Sequence, residues 1–284
     1  MVKHDHDRGL AFDLGLMLER RRALGLLAGV AGGALLTACK GGPGGPPPMS
    51  DPEPNVTATG ADGSICTKLP KETNGPYPAD GTNTKSGQTV NVLTQSGVQR
   101  SDIRTSFGGM TGVAAGVPLE LAIRLVNVGD QCKPLAGYAI YVWHCDAAGK
   151  YSLYDITDQN FLRGVGVTDA KGEVRFTTIV PGTYMGRYPH IHFEVFASAD
   201  KAASGKDSLL ISQFAVPADA LKPIYAADKN YANSLKPLAE SGAIANDNVF
   251  GDNSPEQINA QTLVISGDAA SGYKASVTVG IKLA

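Results

Sequence analysis

The chain has 284 residues, 43% of them apolar and 18% charged, with a formal net charge of -2. That length holds one large or two small domains with a sizeable core. A near-neutral balance, with no basic block outside the N-terminus, excludes a nucleic-acid groove as the main business. Histidine is scarce: of the five, His4 and His6 stand at the very start, so histidine chemistry in the folded part falls to His144, His190 or His192.

In chain order, the first feature is an address. Arg20-Arg21-Arg22 precede an apolar run from Ala23 to Ala38. The run is too short and glycine-rich to span a bilayer comfortably and has the length of a signal-peptide core. The arginines, followed by Ala23-Leu24, resemble a twin-arginine export signal. Leu36-Thr37-Ala38-Cys39 resembles a bacterial lipobox, whose cysteine becomes the lipidated first residue of the mature protein. Residues 1–39 are therefore expected to be an export signal ending at the lipidation site Cys39, giving an exported, membrane-anchored or secreted protein. Residues 40–64 are rich in glycine and proline and too poor in apolar side chains to repay ordering, so they read as a flexible tether.

Export implies an oxidising compartment. With Cys39 lipidated, Cys66, Cys132 and Cys145 remain. Cys66 opens the folded part and Cys132 lies in a loop before a strand, so that pair is the favoured disulfide. Cys145 lies in a strongly patterned strand and is expected to be buried and free. Sequence alone leaves the pairing open.

The expected domain, residues 65–284, reads as a series of short strands separated by turn residues. They are Leu119–Val126, Gly137–His144, Glu173–Val180, His190–Phe196, Leu209–Val216, Leu263–Ser266 and Tyr273–Leu283. Such spacing points to an all-β sandwich, with short helices near Ala218–Ala227 and Ser234–Ser241.

Several chemistries lack their residues. There is no G-x-S-x-G nucleophile elbow, no phosphate-binding P-loop, since both Gly-Lys pairs are followed by Tyr151 or Asp207, and no C-x-x-C. What remains is the run from Pro181 to His192, PGTYMGRYPHIH. In a strand, residues i and i+2 share a face about 6.5–7 Å apart, so His190 and His192 can address one metal while Ile191 and Phe193 enter the core. Glu194 continues the histidine face, which raises a two-histidine, one-carboxylate iron(II) site as a weaker alternative.

The segments PLAGYAIYVWHCDAAGKYSLYD, FLRGVGVTDAKGEVRFTTIVPGTYMGRYPHIHF and SQF resemble the intradiol ring-cleavage dioxygenases, in particular secreted relatives of protocatechuate 3,4-dioxygenase. The similarity is densest from Pro134 to Phe214. It implies an intradiol-dioxygenase-like β-sandwich with long loops and a non-haem iron(III) held by Tyr151 (in GKY), Tyr184 (in PGTY), His190 and His192. It further implies a catechol-type substrate and dioxygen, with ring opening between the two hydroxyl-bearing carbons to a cis,cis-muconate-type product. Tyr184 would leave the iron as substrate binds, Arg187 would stabilise charge developing on the ring, and Gln213 in SQF would support the site. Gly75-Pro76-Tyr77 would lie beside the substrate, and His144 belongs to the pattern but not to the ligand set.

Charge balance supports the same set independently. Two phenolates and a hydroxide balance iron(III), and hard oxygen donors favour the ferric state. The segment before Cys66 is too short for the helical dimerisation domain of the catechol and hydroxyquinol enzymes, so dimerisation by that route is not expected and the oligomeric state stays open. The competing reading from another class is a non-catalytic β-sandwich lipoprotein that binds aromatic or other ligands.

Overall fold

The computed structural model describes residues 55–269 and 271–283. The export signal, Cys39 and most of the tether lie outside these residues.

The polypeptide forms two main sheets. In one, the strand order is β11-β10-β7-β8, from β7 (Ala139–Trp143), β8 (Arg163–Val167), β10 (His190–Phe196) and β11 (Leu210–Ala215), all antiparallel. The other is built around β5 (Pro118–Asn127). Along one side of β5 runs β13 (Gly272–Ile281), in parallel, carrying β12 (Val264–Asp268) on its far edge; along the other run β9 (Glu173–Ile179) and the short β6 (Lys133–Pro134). β13 thus lies beside β5, and its Gly280 C=O also accepts from Leu69 N–H just after β2, which ties the two ends of the domain together.

Alternation decides which side chains meet. β5 sends Leu119, Leu121, Ile123 and Leu125 inward, and β13 sends Ala275, Val277, Val279 and Ile281. They share a core with Ile140 and Val142 of β7 and with Ile191, Phe193 and Val195 of β10. Phe193 stacks on Phe214 of β11 at 4.1 Å between ring centroids. β10 is buried along its whole length, because its second face is covered as well: Tyr141, Trp143, Val165 and Phe196 form another apolar cluster with Ala79, Val92, Phe107 and Tyr151. A strand buried on both faces reads as a nearly continuous apolar run, and the polar residues it does carry are then surrounded by protein.

Two hairpins precede these sheets. β1 (Thr57–Thr59) pairs with β2 (Ile65–Thr67), and β3 (Asp80–Lys85) with β4 (Gln88–Asn91). Strand β1 falls in the stretch read as tether, so the folded part begins earlier than residue 65: pairing with β2, and the backbone bond from Lys68 N–H to Val56 C=O, order a segment whose composition alone looks flexible. Cys66 on β2 is joined to Cys132 in the loop before β6, and Cys145 is buried and free. The helices are α1 (Ala218–Ala227), α2 (Leu235–Ser241) and α3 (Pro255–Gln261), the last started by a capping box between Ser254 and Gln257. Among the described residues no helix is long and apolar enough to cross a membrane.

Candidate metal centre

Three segments bring the site together. Strand β10 supplies His190 and His192 on one face, as period-two geometry requires. The turn that leaves β9 supplies Tyr184 and Arg187, and the loop between β7 and β8 supplies Tyr151. The loop and the turn pack backbone to backbone: a Cβ on Gly149 would stand 2.6 Å from Thr183 C=O, and Gly149 takes φ +80°. Only glycine serves there. Tyr151 N–H donates to Asp155 Oδ2 at 2.8 Å, which closes the loop under the phenol.

The four side chains converge. Tyr184 Oη lies 3.1 Å and Tyr151 Oη 3.4 Å from His190 Nε2. The two histidine Nε2 atoms are 3.2 Å apart and the two phenol oxygens 3.5 Å. Ligands bonded at about 2.0–2.2 Å to one ion, at angles near 90–110°, stand about 3.0–3.5 Å from one another. The observed separations have that spacing. Two imidazole nitrogens and two phenol oxygens are also a donor set suited to a hard or borderline transition metal. Among the described residues no group of three or more histidine, cysteine or carboxylate side chains could hold a metal, so a centre here has to draw on phenols.

The protonation states agree. Burial, then the charge of Arg187, drives the His190 imidazole down to about 3, and burial and His190 drive His192 well below the ordinary histidine value. Both rings are neutral and able to ligate. His190 Nδ1 stands 2.7 Å from Tyr188 C=O, a bond that turns Nε2 toward the cluster. His192 is held by stacking on Trp143, at 4.8 Å and 6° between planes. Burial raises the Tyr184 phenol to about 12, with Arg187 opposing, and raises Tyr151 well above the ordinary tyrosine value. Only a cation among the four oxygens and nitrogens would make two phenolates favourable in so dry a place.

Arg187 and Gln213 are joined. Arg187 Nη2 donates to Gln213 Oε1 at 2.7 Å, and Arg187 Nη1 lies 3.5 Å from His190 Nε2. Gln213, opposite His192 across β10 and β11, passes its amide on to Thr73 C=O at 2.9 Å. It thereby anchors the segment carrying Gly75, Pro76 and Tyr77, which lies along the site: Gly75 faces His192 and the Tyr77 ring contacts Tyr151 at 5.1 Å. Met185 and Gly186 are exposed, so the Tyr184 side is the one that opens to solvent.

Other candidates fall elsewhere. His144 is a core histidine with both nitrogens engaged, by Cys145 C=O at 2.8 Å and Thr178 Oγ1 at 2.7 Å. Glu194 continues the histidine face, but burial and Asp80 push its carboxyl well above the ordinary value. Burial thus disfavours it as an anionic ligand, and no contact joins it to the four donors. An open groove of about 520 Å³ beside Arg100, Val165 and Arg175 contains none of the four donors.

Two supporting residues escape sequence reasoning. Arg163, in FLRG, is buried and donates to Ser152 Oγ and C=O, to Pro78 C=O and to Tyr141 Oη, tying the Tyr151 loop to the Gly75 segment. Its place in a strand start among apolar residues is the one signal that it is not a surface arginine. Asp247 pairs with Arg187 from 60 positions away, and nothing local marks it.

Comparison with known proteins places this geometry. A family model described as Dioxygenase matches residues 94–231. The chain is 38% identical over 124 residues to the protocatechuate 3,4-dioxygenase beta chain of Burkholderia cepacia, covering 39% of this chain and 49% of the relative. It is 32% identical over 123 residues to catechol 1,2-dioxygenase 1 of Acinetobacter lwoffii, covering 36% and 37%. The chain thus matches half or less of the length of these curated relatives. In fold it is similar to an intradiol ring-cleavage dioxygenase from Tetranychus urticae, with a TM-score of 0.55, 23% identity, and coverage of 76% of this chain and 95% of that one. The family-model match spans the strands and loops that carry Tyr151, Tyr184, His190 and His192, the fold is shared, and together the comparisons indicate the intradiol ring-cleavage dioxygenase family.

Proposed function

We propose that this domain is a non-haem iron(III) dioxygenase that opens catechol-type rings between the hydroxyl-bearing carbons with dioxygen. The observation that carries the reading is the convergence of two phenol oxygens and two imidazole nitrogens around His190 Nε2, with neighbouring donors 3.1–3.5 Å apart and Arg187 facing them. Tyr151, Tyr184, His190 and His192 would hold the iron, which when bound supplies Lewis-acid activation of a catecholate toward dioxygen.

The chain's own residues do the rest. Tyr184 Oη, on the side open to solvent, is placed to take a proton from a catechol hydroxyl as substrate enters. Arg187 Nη1 meets negative charge that develops as the ring is attacked, and it does so without reorganising, because its other nitrogens are already held. Tyr77 and Gly75 close one wall, and the surrounding protein excludes water, which strengthens each of these interactions. Export and lipid attachment at Cys39 accompany the reading, on the strength of the N-terminal sequence.

The purified protein is expected to bind one iron per chain, to show a tyrosinate-to-iron(III) band in the visible, and to consume oxygen with at least one member of a catechol panel. Tyr184→Phe should shift the band and lower kcat by about 10²-fold or more. A colourless, iron-free protein with no oxygen uptake would sink the proposal. Catechol binding without oxygen uptake would favour the binding-protein alternative.

A further inference from the structure

We propose that Asp247, at the end of the 3₁₀ turn Ile244–Asn246, is the residue that positions Arg187 for catalysis. The inference rests on the dioxygenase reading of the site, but its geometry stands by itself.

The Arg187 guanidinium has three nitrogens and two are committed. Nε donates to Asp247 Oδ2 at 3.0 Å and Nη2 to Asp247 Oδ1 at 3.3 Å, a two-pronged pairing that fixes the plane of the group. Nη2 also donates to Gln213 Oε1. The third nitrogen, Nη1, is thereby directed at the cluster, 3.5 Å from His190 Nε2.

Asp247 is itself held by the backbone. Tyr188 N–H donates to Oδ2 at 2.6 Å, and Val249 and Phe250 N–H donate to Oδ1 at 2.9 and 3.2 Å. The first of these comes from the residue next to Arg187. One carboxylate therefore grips both the side chain of Arg187 and the backbone that carries it. The Asp247 side chain is fully buried, and the loop around it is pinned by buried Val249 and Phe250, with Phe250 edge-on to Tyr188 at 6.4 Å.

An ion pair buried to this degree is a poor way to gain stability, since an apolar pair of the same volume often serves as well or better. It is a good way to hold a charge in one orientation before the reaction starts. Asp247 also balances the guanidinium, so the pair presents the cluster with the positive end of a dipole instead of a net charge. Asp247 touches none of the four donors; it acts through Arg187.

The test is Asp247→Asn, which keeps the size and an oxygen for the backbone N–H groups but loses the charge and the two-pronged grip. With a catechol that the wild type turns over, kcat should fall about 10²-fold while the anaerobic dissociation constant for catechol changes less than about threefold. Iron content should be unchanged. Against an Arg187→Met background the same substitution should have no further effect on kcat.

A second readout needs neither iron nor turnover. In the metal-free full chain, the Arg187 Nε–H, held by Asp247, should exchange slowly with solvent in ¹⁵N-edited NMR, and at least about tenfold faster in Asp247→Asn. An unchanged kcat, a further loss in the Arg187→Met background, or unchanged exchange overturns the proposal. A wild type without oxygenase activity would instead remove the dioxygenase reading, leaving the exchange measurement to judge the positioning. If Asp247→Asn does not fold, Asp247→Glu keeps the charge and displaces the guanidinium by one methylene. It should lower kcat with catechol affinity retained, and wild-type kcat in that variant overturns the proposal.

Discussion

Gly75 rests against His192: a Cβ on Gly75 would stand 3.3 Å from His192 Cε1 and 3.8 Å from Nε2, and the residue takes φ +70°. The segment from Thr73 to Pro78 can lie along the donor cluster because at Gly75 it presents bare backbone to an imidazole. Gln213, Asn83 and Arg163 hold it there by its carbonyls at Thr73, Pro76 and Pro78.

Gly75→Val should therefore damage the centre directly. A β-branched side chain is strained at this φ and meets the imidazole at Cε1. Iron retention against a chelator is expected to fall about 10-fold or more, and the visible band should move. Gly75→Ala, with one methyl at a tight contact, should do the same to a smaller extent. Iron content and spectrum equal to wild type in both variants would show that the segment does not bear on His192.

Glu72, just before this segment, predicts a pH dependence of stability. Its carboxyl is raised to about 7, chiefly by burial and further by Asp252, against hydrogen bonds from Asn253 and Gln261 and the charge of Arg187. The folded state thus keeps a proton that the unfolded chain releases near 4.5. Stability from this group is complete below that value and is lost as pH rises to about 7. Glu72→Gln retains an oxygen for Asn253 and Gln261, which donate at 2.7 and 3.2 Å, and has no proton to lose. Its Tm should exceed that of the wild type by several degrees or more at pH 8, with the gap closing toward pH 4.5. A gap that does not vary with pH would refute the assignment.

The Cys66–Cys132 disulfide closes a long loop, the two residues being 66 positions apart. It fastens the β1–β2 hairpin to the end of β5. Removing it in the double variant Cys66→Ser, Cys132→Ser should cost about 3–4 kcal/mol, mostly by freeing the unfolded chain. Neither cysteine approaches the donor cluster, so the iron band of protein kept folded should not change. Denaturant titration in the presence and absence of reductant measures the first expectation, and the spectrum measures the second.

Most strands of the two main sheets were legible because their pattern is local, but β8 and the short β6 were not. His190–Phe196 has the bounds read from its alternation, and Leu119–Val126 differs from β5 by one residue at each end. Helices α1 and α2 also fall where composition placed them. The β1–β2 and β3–β4 hairpins and α3 were not legible. Their sequences, TAT, ICT, DGTNTK, QTVN and PEQINAQ, are short and polar, and their order comes from pairing and from packing on the sheets.

The same division holds at the site. The scarcity of histidine, the H-x-H spacing on a strand and the tyrosines of GKY and PGTY are properties of the sequence, and they determine which side chains are able to ligate. That each of the four donors stands within 3.5 Å of at least one other follows only from folding. The Tyr151 loop and the Tyr184 turn, from separate parts of the chain, are brought together by the close contact at Gly149, and both meet the histidine strand. The partner of Arg187 belongs to the tertiary structure alone. An ion pair spanning 60 positions leaves no periodicity, no motif and no composition bias, because what selects Asp247 is the shape of the buried space around the guanidinium.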